Sequence, residues 1–322
     1  MRQALSALHL FALDQHYVIS EGKVQIVDEF TGRIMADRSW ERGLHQMIEA
    51  KEGVEISARR DTLARITYQR LFRRYLRLAG MSGTGKEIAP EVWSIFRLGF
   101  VRVPLNRPSR RAYLGGRLFA QAQEKWDAVA DSAHRCARAG RPVLIGTRSV
   151  RASEELSKVL HARGLEHALL NAKQDKEEAD VVARAGESRR ITVATNMAGR
   201  GTDIRLPPEV IACGGLHVIL TECHESARID RQLFGRCARQ GDPGSCEMLV
   251  ALDDELFRTY APWLTRFVRN TSATTRRLPL TLWLLRIAAQ AAAERRNARI
   301  RADNLKLDRR LETTLAFSGQ HE

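Results

Sequence analysis

Residues 190–244 concentrate the side chains that could handle a phosphorylated ligand. An apolar, β-rich run, RITVAT, breaks into NMAGRGTDI, which supplies Gly199, Arg200, Gly201 and Asp203. Glycines let backbone amides approach a bound group closely, and loops at strand ends are where α/β sheets hold ligands. A second apolar run, LHVILTE, leads into HESARIDRQLFGRCARQGDPG, with Arg228, Arg231, Arg236 and Arg239 on or just after one helix. Guanidinium groups stay charged at any working pH and fork onto phosphate oxygens. A solvated basic helix face would have the same spacing. The glycine loop close by in sequence favours an anion site.

Three further constellations need weighing. Asp28 and Glu29 close an apolar run and precede Thr31-Gly32-Arg33. Paired acids there can face the magnesium of a nucleotide site, although strand ends often carry acids for no such reason. Residues 80–86, GMSGTGK, fit the phosphate-loop spacing of glycine, four residues, glycine and lysine. Glu87 follows where that loop needs a Ser or Thr hydroxyl, and a basic helix rather than a buried strand is expected before it. The match is read as false. Cys213, His217, Cys223 and His224 bracket a predicted strand, whose alternation sends their groups to opposite faces, so no metal site is expected. The five cysteines form no CxxC pair, as suits reduced thiols.

The elements that must position these groups follow from the pattern. At 322 residues the chain has room for two domains, or one large domain with an appendage. Tyr17 to Val27 reads as a hairpin turning at Glu21-Gly22, and Trp40 to Lys51 as a helix stopped by Gly53. A helix is predicted over 61–78 from the spacing of Leu63, Ile66, Leu71, Tyr75 and Leu78. After a connector, PLNRPS, helices are expected at 119–139, 150–163, 175–185 and 224–238. Strands are expected at 142–146, 167–170, 191–194, 216–220 and 247–251. Apolar strands separated by helices imply a parallel sheet covered on both faces. A long helix is expected from Thr281 to about Leu315, with Leu282, Leu285, Ala289, Ala292 and Ala293 facing the sheet.

The formal net charge is +14, and it is uneven. Residues 256–322 hold thirteen basic and five acidic side chains, whereas 106–255 are nearly balanced. The basic tail could meet anionic lipid, nucleic acid or an acidic partner, or be a solvated helix surface. The best apolar run, LPLTLWLLRIAAQAAA, is broken by Arg286 and is too short to span a bilayer. The amino terminus lacks the pattern of a signal peptide, so a cytoplasmic protein is expected.

The strings VDEFTGR, LHQMIEAKEG, LAGMSGT, LNAK, TVATNMAGRGTDI and GGLHVILTECHESARIDRQLFGRCARQGDPGS together resemble the carboxyl-terminal ATPase portion of SecA. That family comprises the motors that drive preproteins through the bacterial Sec channel. The tail, AERRNARIRADNLKLDRRLE, is similar to the start of its long scaffold helix. The resemblance implies an α/β, RecA-like doubly wound parallel sheet, of the P-loop NTPase and helicase type, followed by a long α-helical scaffold segment. It divides the chain into a remnant of the preprotein cross-linking region (1–16), the end of a first RecA-like lobe (17–105), a second lobe (106–255) and scaffold (256–322). It implies that Asp203, with Gly199, Arg200 and Gly201, contacts ATP, and that Arg236 and Arg239 reach its phosphates as catalytic arginines. Asp28 and Glu29 would belong to the same site, with Mg2+ accompanying the nucleotide. The implied partners are preproteins, the Sec channel and anionic lipid or a second SecA-like chain, with a peripheral position at the inner membrane. The GMSGT stretch matches a coupling motif of the family, and its phosphate-binding loop is expected upstream of Met1. Cys223 and Ala238 depart from the usual ERHES and GRSGR strings.

A nucleic-acid helicase fragment shares the lobe and the pattern of Gln232, Gly235, Arg236 and Arg239. However, residues 106–255 are almost charge-balanced and hold no evident basic and aromatic surface for stacking bases, so nucleic acid is not an expected partner. A non-catalytic adaptor that docks on a complete motor is the other alternative.

Overall fold

In the computed structural model, residues 2–27, 34–35, 37–58, 66–170, 178–195, 203–271 and 279–317 are described. The amino-terminal piece begins with α1 (Arg2–His9) and the hairpin β1 (Tyr17–Ser20) and β2 (Lys23–Val27). Glu21 and Gly22 turn the hairpin with φ of 52° and 72°, the paired left-handed conformation that matches strand twist. β3 (Ile34–Met35) extends this small antiparallel sheet. Next comes α2 (Leu44–Glu52), ended by left-handed Gly53 as the sequence suggests. Ala7, Tyr17, Val24, Leu44 and Ile48 form a core of their own.

The helix expected over 61–78 is only partly realised. Residues 59–65 lie outside those described, and α3 spans Tyr68–Arg73, with Thr67 accepting the capping hydrogen bond from the Arg70 amide. Its apolar spacing is correct for a helix, yet none of its residues is buried and Leu76 beyond it is fully exposed. Amphipathic helices owe most of their stability to a packed face, and among the described residues this one is no more than half-covered, against the helix at 89–96. A 3-10 turn at Lys86–Ile88 then leads into α4 (Ala89–Phe96).

The main sheet contains β4 (Arg110–Phe119), β5 (Val143–Thr147), β6 (Ala168–Leu170), β7 (Ile191–Thr195), β8 (Leu216–Leu220) and β9 (Pro243–Ala251). Its order is β4-β9-β8-β5-β7-β6, and every neighbouring pair is parallel. Alternation along each strand divides the core between two faces. Ile145, Val193, Ile219 and Leu249 pack with Trp126, Val129 and Leu156 of helices α5 (Ala122–Arg138) and α6 (Val150–Ala162). Leu144, Val218, Leu220, Met248 and Val250 point the other way. There they meet α9 (Ala227–Phe234), α10 (Glu255–Tyr260), α11 (Pro262–Thr271) and α12 (Pro279–Phe317). Two short helices, α7 (Glu178–Arg184) and α8 (Pro208–Ala212), complete the set.

The edge strand β4 was not expected. Its sequence, RRAYLGGRLF, lacks a clean alternation because a bulge falls between Tyr113 and Gly116, where Gly115 has φ of 87°. α12 is the long helix foreseen, burying Leu282, Leu285, Ala289 and Ala293, with Ala292 half-buried beside them. None of the described helices is long and apolar enough to cross a membrane.

One polar cluster lies inside the sheet on the α5 side. His217 Nδ1 is 2.8 Å from Ser245 Oγ and Nε2 is 3.2 Å from Glu247 Oε1, while the Ser132 hydroxyl also donates to Glu247. Burial opposes the charged imidazole, but hydrogen bonds to Cys136 and Glu247 and the attraction of the Glu247 carboxylate outweigh it, raising the His217 pKa to about 9. Because the folded value lies above the unfolded one, this stabilisation is complete below about pH 6.5 and is lost as pH rises through about 9. The two values differ enough to be worth about 3 kcal/mol. Urea unfolding should therefore show the wild type losing roughly that much between pH 6 and pH 10, and His217→Gln should flatten the profile. An unchanged profile in the variant would mean that the buried imidazole is neutral.

Candidate functional site

The arginine-bearing segment is positioned by α9, whose apolar face (Ile229, Leu233, Phe234) is buried. The helix lies so close to β5 that a Cβ at Gly146 would sit 2.3 Å from Leu233 Cδ2 and force that side chain to move. α9 ends at Gly235, and a tight turn over 235–242 delivers the chain to β9. Within that turn Ala238, Gln240 and Gly241 have φ of 54°, 52° and 88°. Left-handed backbone is costly for residues with a Cβ, so two of the three positions are strained.

The turn points Arg239 at the loop that follows β7. Arg239 Nη1 donates to Asp203 Oδ1 at 2.8 Å, and its Nε donates to the Gly235 carbonyl at 3.0 Å. Arg236 begins the same turn and is 8% exposed. The structure thus brings Asp203 and Arg239 into contact across 36 residues of sequence. Gly199, Arg200, Gly201, Asp28 and Glu29 lie outside the described residues. The other two arginines of the cluster are used differently. Arg231 pairs with Glu87 at 2.5 Å, and the Arg228 Nε is buried with no hydrogen-bond partner among the described residues.

A cavity of about 860 Å³ opens beside this contact, lined by Asn106, Arg107, Ser109, Arg111, Asp203 and Arg239 among others. Three guanidinium groups facing one carboxylate make it an anion-attracting space, of a volume suited to a small-molecule ligand. Arg107 and Arg111 were not singled out in the sequence. Their only signal is the basic cluster NRPSRR, which reads as an ordinary connector until the strand after it is known. Arg111 Nη2 donates to the Cys237 carbonyl at 2.9 Å, and Arg107 Nη1 to the Gln240 carbonyl at 3.3 Å. The Cys237 thiol is held below its ordinary pKa, first by a hydrogen bond from Cys246 and then by the nearby Arg111 charge, against the effect of burial.

The GMSGTGK stretch does not have the setting of a phosphate loop. Turn and coil, not a strand, lead into it, Thr84 accepts a hydrogen bond from Gln232 at 3.0 Å, and Glu87 is the partner of Arg231. Its side chains engage the arginine helix instead. The Cys213, His217, Cys223 and His224 quartet is dispersed: Cys213 is exposed, Cys223 lies 3.6 Å from Met248 sulfur, and His217 and His224 bond Glu247 and Asp230.

Family comparison places these features in context. The SecA P-loop domain model matches residues 108–210 and 206–272, and the SecA preprotein cross-linking domain model matches residues 1–49. The chain belongs to the SecA family. It is 53% identical over 323 residues to a protein translocase subunit SecA 2 of Nitrosospira multiformis, covering 100% of this chain and 48% of that protein. A SecA 3 of Magnetococcus marinus is 51% identical, covering 99% and 49%. The SecA of Bacteroides fragilis is 52% identical over 261 residues, covering 81% and 24%. The chain therefore spans about half the length, or less, of the curated relatives it matches. Among solved structures, the Escherichia coli DEAD-box protein SrmB is 21% identical with a TM-score of 0.37, covering 47% of this chain and 82% of that one.

Ala238 has a left-handed backbone, φ 54°, a conformation that favours glycine. Ala238→Gly should therefore stabilise the protein by about 0.5–1 kcal/mol, the relief of strain exceeding the added freedom of the unfolded chain. Chemical denaturation measures it; a destabilised variant would show that the alanine methyl contributes packing that outweighs the strain.

Proposed function

We propose that this chain is a portion of a SecA-like, ATP-driven protein-translocation motor. In this reading residues 106–255 form a second RecA-like lobe that presents one side of an ATP site. The supporting observation is the Arg239–Asp203 contact at 2.8 Å, beside a cavity lined by further arginines. Asp203 contacts the nucleotide, Arg236 and Arg239 stabilise the charge that develops on the phosphoryl group in transit, and Gly199, Arg200 and Gly201 approach it through their backbone. The described residues fit such a role through their charge and donor set. Arginines supply donors for phosphate oxygens, and Asp203 is free to exchange its guanidinium partner for a ligand hydroxyl. ATP brings the transferable phosphoryl group and Mg2+ the neutralising charge. Asp28 and Glu29 are the candidates for the magnesium side. The phosphate-binding loop would come from a segment outside residues 1–322.

In this reading 1–16 belongs to the preprotein cross-linking region, 17–105 to the end of a first lobe and 256–322 to a helical scaffold. Preproteins and the Sec channel are the partners, and the protein works from the cytoplasmic side, peripherally at the inner membrane. Anionic lipid and a second SecA-like chain are further proposed contacts of the basic tail.

The test is complementation. Mixing the purified chain with a polypeptide equivalent to the first half of a full-length relative should yield ATP turnover that neither has alone. Arg239→Ala should lower that turnover by about 10³-fold or more, within the range for arginines acting on a transferring phosphoryl group. Two halves that neither associate nor hydrolyse ATP would refute the proposal.

A further inference from the structure

The arginine turn has an unusual internal economy. Three of its residues adopt left-handed backbone within four positions, two of them non-glycine. Strained backbone of this kind persists only when its surroundings over-determine it. Within the turn, Arg239 Nε donates to the Gly235 carbonyl and the Asp242 amide to the Arg239 carbonyl at 2.8 Å. Other restraints come from outside, beside the Arg239–Asp203 bond. The Cys237 carbonyl receives Arg111 Nη2, the Gln240 carbonyl receives Arg107 Nη1, and the Arg107 stem lies over Gly241, where an added Cβ would be 3.0 Å from Arg107 Cδ.

Both donors come from one short piece of chain, the connector and the first two residues of β4. They grip the turn at carbonyls on either side of Ala238 and Arg239. Hydrogen bonds from a charged donor are stronger and more directional than neutral ones, and Arg111 is further fixed by Nη1 donating to the Tyr113 hydroxyl at 3.3 Å. We propose that Arg107 and Arg111 are positioning residues that set the aim of Arg236 and Arg239 by holding the carbonyls of residues 237 and 240. The consequence is regulatory. The connector runs directly from the amino-terminal piece into the sheet, so any displacement of it pulls on the turn that carries the phosphate-facing arginines. This inference rests on the nucleotide-facing reading of that turn.

Two measurements on the full chain separate the latch from the reading it rests on. Hydrogen exchange followed by mass spectrometry reports the turn without any ligand. Arg111→Gln should speed exchange across residues 236–242 by about 10-fold or more, the factor expected when a bond of about 1.4 kcal/mol is lost. Arg111→Lys should restore much of the protection, and peptides over β8 should be unchanged. Arg107→Gln, at an exposed position, should give a smaller effect of the same kind and remains informative should Arg111→Gln fail to fold. Exchange unaltered in both variants overturns the proposal. The second measurement is the affinity of a fluorescent ATP analogue for the chain mixed with the first-half polypeptide. About 10-fold weaker binding by Arg111→Gln, with partial rescue by Arg111→Lys and measured well below the melting temperature of each variant, supports positioning rather than general stability. Equal affinity overturns it even where exchange quickens. Absence of binding by the wild type instead refutes the nucleotide reading, and leaves the exchange result to stand or fall by itself.

Discussion

The buried amide of Gln290 on α12 donates to the His224 carbonyl at 2.9 Å and to Asp230 Oδ2 at 2.8 Å. Asp230 in turn accepts from the His224 amide at 2.9 Å and lies 2.7 Å from its ring Nδ1. This knot fixes the entry of the arginine helix. Two further positions on the same face of α12 continue the grip: Glu294 accepts from the Ser226 hydroxyl at 2.8 Å, and Asn297 donates to Glu225 at 2.7 Å. Residues 290, 294 and 297 recur at helical spacing, so one straight element reads the whole turn from 224 to 226. Leaving Gln290, His224 or Asp230 buried without its partner would cost more than the bond itself is worth. The start of α9, and hence the heading of everything after it, depends on how α12 is seated.

A second set of contacts ties the amino-terminal piece to the same helix. Thr84 and Glu87 meet Gln232 and Arg231, while Glu91 on α4 accepts a bidentate pair from Arg301 of α12, both bonds at 2.8 Å. Residues 84–91 therefore touch the arginine helix on one side and the long helix on the other. The ion pairs here are partly solvated, and each contributes modestly. Their value is geometric: three elements distant in sequence share a fixed arrangement around α9.

The parallel sheet was legible because its strands are buried on both faces and announce themselves as apolar runs bounded by helices. Strand β8 falls where its residues LHVIL predict, and α12 follows from a stretch free of glycine and proline. What the sequence hid was what tertiary context decides. β4 is interrupted by a bulge and exposed along its outer side, so its pattern resembles a connector. The apolar spacing of residues 61–78 is helical, yet the described part is no more than half-covered, against α4. In the site, Asp203 and Arg239 could be named from residue type and the glycine loop, whereas Arg107 and Arg111 could not. Their function lies in which backbone carbonyls they reach, and no spacing rule encodes that.

α12 runs for 39 residues, and the side chains that anchor it to the sheet fall between Leu282 and Ala293. At 1.5 Å per residue the helix is about 58 Å long, and its last described turns lie about 35 Å beyond that anchor. Such a geometry has angular gain. A tilt of about 5° at the seat displaces the far end by about 3 Å, whereas the same tilt moves Gln290 by only a fraction of an ångström. The grip that fixes the start of the arginine helix is therefore also the fulcrum of a lever, and small repacking under Leu285 is written large at Phe317.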